Sequence, residues 1–124
     1  MGQFQDALDA SGKYENQADV LLAEIGNRQT WTAQETADMR KVASFYGQAA
    51  DALAESPAPA AYLWYRDGLV HNYREAVDIT TKYSTLTSSS YQSAFDALNA
   101  RWVARVRDID QLEARLKAQE SRSP

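Results

Sequence analysis

Cysteine is absent from the chain, and with it go disulfides, thiolate metal sites and thiol nucleophiles. Histidine occurs once, as His71. Di-iron bundles need Glu-x-x-His motifs on two helices and hemerythrin-like sites need several histidines, so both are excluded. Glycine is sparse, five residues in all, and no Gly-rich phosphate loop is formed, which removes P-loop and dinucleotide readings. No Ser nucleophile elbow occurs either. No stretch approaches 18 uninterrupted apolar residues, so no transmembrane helix is expected. The amino terminus lacks a basic segment followed by an apolar one, which is the mark of a signal peptide. A Met-Gly start is compatible with a trimmed chain. The expected location is therefore soluble, with the cytoplasm favoured and a periplasmic or extracellular site left open if a leader has been removed. Alternating β-branched runs are also missing, and strands are not expected.

What is present is helix. A chain of 124 residues reads as one domain, covering 1–120, with 121–124 as a frayed tail. It is long enough to bury about two-thirds of its unfolded surface without a staple. The net charge of -4 argues against general nucleic-acid or anionic-membrane binding. That charge is uneven. Residues 1–30 carry two basic and five acidic side chains, whereas 87–124 carry six basic and five acidic. The mild complementarity favours the two segments as neighbours, or head-to-tail self-association. The alanine content and the preference for Arg over Lys fit a GC-rich prokaryotic or phage source.

The first helix is predicted over about Gln3 to Ile25. Phe4, Ala7, Ser11, Tyr14, Ala18, Leu21 and Ile25 alternate by three and four, flanked by Leu8 and Leu22. Gly26 and Asn27 follow as candidate left-handed caps. Thr32 and Glu35 fit a capping box that opens a second helix running to about Glu55. Its stripe is Met39, Val42, Tyr46, Ala49 and Leu53, and Trp31 lies just before the cap, as a staple or as an exposed contact. Ser56-Pro-Ala-Pro-Ala60 breaks the chain as a stiff connection between antiparallel neighbours.

Residues 60–83 hold four of the seven tyrosines, one of the three tryptophans and the only histidine. Tyr62, Tyr65, Leu69, Tyr73, Ala76, Thr80 and Tyr83 share one face of a third helix. Buried phenols need polar partners. The rings are thus expected at the core margin with their hydroxyls at the rim, or lining a ligand cleft. The opposite face carries Trp64 beside Gly68, a large residue next to a dent, which would seat a partner's side chain unless the next helix covers it. Asp67, His71 and Glu75 follow at i, i+4 and i+8. Adjacent pairs are weak metal candidates, but the outer two are about 12 Å apart, too far to share one ion. A polar run, Ser84 to Ser90, forms a loop whose later serines are candidate caps.

The fourth helix is predicted from about Tyr91 to Ala118. Tyr91, Phe95, Leu98, Trp102, Arg105, Ile109, Leu112 and Leu116 alternate 4-3-4-3-4-3-4, the seam of a coiled-coil-like packing. Arg105 interrupts it, either snorkelling to water or meeting an acidic group across the bundle. The polar segment after Asp108 would overhang the bundle and pair with another chain.

These readings define an all-α protein, an antiparallel up-down-up-down four-helix bundle with coiled-coil-like packing. The alternative is two long hairpins that complete their core by dimerising. No cofactor and no catalytic set is identified, so the expected role is a non-enzymatic structural or protein–protein interaction module, binding another protein or its own copy as an oligomer. Its expected contacts are Trp64, Gly68, His71, Arg105, Leu112 and Leu116. The alternative is a small-molecule binder whose pocket is lined by Tyr46, Tyr62, Tyr65, Tyr73 and Trp102.

Overall fold

The computed structural model describes residues 2–28, 32–86 and 91–122. They form four helices and no strand: α1 (Gly2–Gly26), α2 (Ala33–Ala54), α3 (Leu63–Tyr83), preceded by a single 3-10 turn at Ala60–Tyr62, and α4 (Tyr91–Ser121). The expectations for Trp31, for the serine caps at 87–90 and for the Tyr91 side chain lie outside the described residues.

The apolar stripes become the core. Phe4, Ala7, Ala18 and Ile25 of α1 meet Val42, Tyr46, Ala49, Ala50 and Leu53 of α2, all buried. The alanines there let the two helices come close. The capping box at the start of α2 is formed. The Thr32 hydroxyl accepts from the Gln34 amide at 3.2 Å, and the Thr32 amide donates to Glu35 at 2.7 Å. The left-handed cap expected at Gly26 and Asn27 is not formed, because no described residue has a positive φ. Instead, the chain leaves α1 in a right-handed turn, with the Asn27 amide on Ala23 and Glu24 carbonyls and the Arg28 amide on Ile25. A side-chain clasp holds this end. Arg28 Nη1 donates to Glu35 at 3.0 Å and to Asp38 at 2.6 Å. The Thr32 hydroxyl and amide, followed by Arg28, hold the Glu35 carboxyl down at about 2, and Arg28 holds Asp38 low.

Helix α3 packs between α2 and α4. On one side Val77 faces Gly47, and Arg74 reaches Asp51 at 3.5 Å. On the other, Asn72 and Ile79, which the tyrosine stripe does not include, are buried. Along α3 and α4 the paired positions run in opposite directions: Tyr83 with Asn99, Glu75 with Arg101 at 2.9 Å, Gly68 with Leu112, and Trp64 with Gln119 at 2.9 Å. The end of α4 therefore does not overhang. Gln119 Nε2 also donates to the Ala61 carbonyl at 3.0 Å, which fixes the last turns over the start of α3.

The row does not close. Among the described residues, α1 packs on α2, α2 on α3 and α3 on α4, whereas no Cα of α1 comes within 8 Å of a Cα of α4.

Candidate functional site

The edge left open between α1 and α4 is built from two helix flanks. On α1, Glu15, Asp19, Leu22 and Ala23 recur at three- and four-residue steps, one position round from the core stripe. On α4, Phe95, Trp102 and Ile109 of the seam recur at seven-residue steps, with Val106 beside them. Two adjoining hollows lie between them. One, of about 330 Å³, is lined by Leu22, Ile25, Met39, Tyr83, Phe95 and Trp102, with Arg28 and Asn99 supplying polar atoms. The other, of about 410 Å³, shares Leu22 and Trp102 with it and adds Glu15, Asp19, Arg105, Val106 and Ile109. Val106 is 44% exposed, a large apolar side chain without cover.

Arg105 lies at the base of the seam and does not snorkel. It is 4% exposed, with its guanidinium carbon 4.4 Å from the Trp102 ring centre and 4.9 Å from that of Tyr46. Its Nη2 is 4.0 Å from Glu15, the ion pair that joins α4 to α1. Two aromatic faces and one carboxylate thus replace the water that a buried guanidinium loses. The backbone is tied as well, since Asn72 Nδ2 donates to the Arg105 carbonyl at 2.8 Å. The other amide atom, Asn72 Oδ1, is buried without a partner.

Tyrosine hydroxyls serve the carboxylates of this edge. Tyr46 donates to Asp19, Tyr65 to Glu113 at 2.6 Å, and Tyr73 pairs with Glu15. Burial first, and then the adjacent carboxylate, pushes the pKa of all three phenols up, so they stay protonated donors. Burial also raises Glu15, reinforced by Asp19 and opposed by Arg105. The rings sit in the core, the Tyr46 and Tyr65 hydroxyls each donate to an acid at its margin, and the Tyr83 hydroxyl donates to Asn99.

The residues expected to contact a partner have other duties. Trp64 donates to Ala61 and Gln119, and the Arg115 guanidinium carbon lies 4.0 Å from its ring centre. A Cβ on Gly68 would fall 2.6 Å from a Leu112 methyl, so the dent is filled by this chain's own α4. Leu112 and Leu116 are partly buried against the core, and Arg105 is inside it. Of the six, only His71 stands exposed. Of the five pocket candidates, Tyr46, Tyr65 and Tyr73 are packed in the core, Tyr62 leans on Phe4 with ring centres 6.1 Å apart, and Trp102 lines both hollows. Asp67 is bonded to Arg66 and Glu75 to Arg101. Among the described residues, no three His, Asp or Glu side chains come together to hold a metal ion, and no helix is long and apolar enough to cross a membrane.

Comparison with protein-family models, with curated proteins and with solved structures gives no match to this chain.

Proposed function

We propose that this chain is a non-catalytic interaction module, an antiparallel up-down-up-down helical bundle whose α3–α4 pair packs in coiled-coil fashion and whose α1–α4 edge receives a helix from another protein or from a second copy. The observation that carries this reading is the unclosed edge. Three consecutive helix pairs pack backbone against backbone and α1 and α4 do not, so Val106 stands exposed and Leu22, Phe95, Trp102 and Ile109 are only partly buried, where further burial would be favourable. The titratable side chains along the edge are carboxylates, phenols and the arginines Arg28 and Arg105, a set without a nucleophile–base pair. Native mass spectrometry and pull-down with Val106→Asp test the proposal. A charge at this exposed position should abolish assembly while the monomer stays folded. Assembly unchanged by Val106→Asp would refute it.

A second reading rests on the 330 Å³ hollow, whose size is that of a small-ligand site and whose lining joins Phe95 and Trp102 to Asn99 and Arg28. It predicts a monomer that carries extra mass, released by Phe95→Ala.

A further inference from the structure

The geometry points to a basic amphipathic helix as the occupant of the α1–α4 edge; this rests on the interaction-module reading and adds the partner's chemistry to it. The shape comes first. From Phe95 to Ile109 the edge runs along α4 for about 21 Å, and the two hollows join end to end through Leu22 and Trp102. Together the two hollows offer an apolar lining that includes Leu22, Trp102, Val106 and Ile109 over a length that matches about four turns of helix.

The charge comes second. One wall carries Glu15 and Asp19, and Glu113 stands close enough to raise the Glu15 pKa further. Arg105 is the cation of the second hollow, and it is committed beneath the surface to two rings and to Glu15 at 4.0 Å. The phenol donors of Tyr46 and Tyr65 occupy one direction on Asp19 and Glu113 and leave further lone pairs on both exposed carboxylates. Arg28, which lines the first hollow, is bound to both Glu35 and Asp38, so the rim is net acidic over an apolar floor. Lys or Arg flanking the apolar face of an incoming helix would meet it, and Asp or Glu would be repelled.

Three helical peptides of about four turns, one Leu/Lys, one Leu/Gln and one Leu/Glu, serve as probes, read by fluorescence polarisation at two salt concentrations. The Leu/Lys peptide should bind about tenfold more tightly than Leu/Gln, and Leu/Glu least. The double variant Glu15→Gln/Asp19→Asn should erase the preference. Asp6→Asn/Asp9→Asn, which removes the same charge from another face of α1, should keep it. Glu113→Gln, one turn past Ile109 on α4, should reduce it and provides the test if the double variant does not fold. Equal loss in both double variants would reduce the effect to overall charge and overturn the inference. Equal binding of Leu/Lys and Leu/Gln, both lost in Val106→Asp, would overturn the basic partner and leave the module reading intact. No binding by any peptide would also overturn it. A native dimer dissolved by Val106→Asp would overturn it in favour of a second copy.

Discussion

The two sides of α4 are made of similar residues and behave differently. Toward α3, each position has a counterpart of complementary size or charge: Gly68 for Leu112, Glu75 and Asp78 for Arg101, the Asn72 amide for the Arg105 carbonyl, Ala61 and Trp64 for Gln119. Toward α1, among the described residues, one ion pair at 4.0 Å spans the gap, and apolar side chains face the two hollows. Helix association thus depends less on how apolar a flank is than on whether the facing flank offers matching holes and partners. Leu112 and Val106 are both aliphatic residues on one helix, yet one fills the dent above a glycine and the other is left 44% exposed.

That contrast can be broken most severely at Arg105, which serves both sides. Arg105→Ala should lower stability by about 3 kcal/mol in urea denaturation, since it empties the space between Tyr46 and Trp102 and leaves Glu15 without its cation. Leu112→Ala, on the closed side alone, should cost about 2 kcal/mol. Acidification separates the sides with a smaller effect. Glu15 has a raised pKa in the folded state, so its charge lowers stability above that value, and the loss is recovered as pH falls through it toward the ordinary 4.5. Glu15→Gln should therefore lack the decline in stability that the parent shows as pH rises from 4.5 toward neutrality, in thermal melts across that range. Glu35 and Asp38 have the opposite sign. Their depressed values confer stability that is complete above the ordinary carboxylate range and is lost as pH falls toward 2, so parent and variant should decline together there. The smallest effect belongs to the open flank. Val106→Ala should change stability by less than about 0.5 kcal/mol, which a melt of the two proteins side by side would check.

The helices were legible because their signals are local. Thr32 and Glu35 are three residues apart, and the core stripes repeat within a turn or two, so spacing alone locates them. The clasp at Arg28 was not legible, since it joins side chains seven and ten residues apart, from the end of α1 to the start of α2. Trp64 and Gly68 were rightly read as a bulk beside a dent, but a helical repeat tells which face is apolar and not which neighbour covers it. The open edge was hidden for the same reason. Glu15 and Asp19 at i, i+4 look like an ordinary solvated acidic pair, and their phenol partners lie on α2 and α3. Their one visible signal is position: both border the apolar stripe of α1, beside Leu22, in the most acidic part of the chain. The charge difference between the two ends of the chain suggested neighbours or head-to-tail association, and among the described residues Arg105–Glu15 is the ion pair between α1 and α4.

Helix order has a kinetic consequence. Each helix packs its backbone only against its neighbour in the chain, so nearly every contact is closed by a short connection and no long loop must be gathered before packing begins. Such a chain belongs with the fast folders of low contact order. During synthesis, α1 and α2 can dock as a finished hairpin while α4 is still in the ribosome, and the last helix is added to a surface that is already in place.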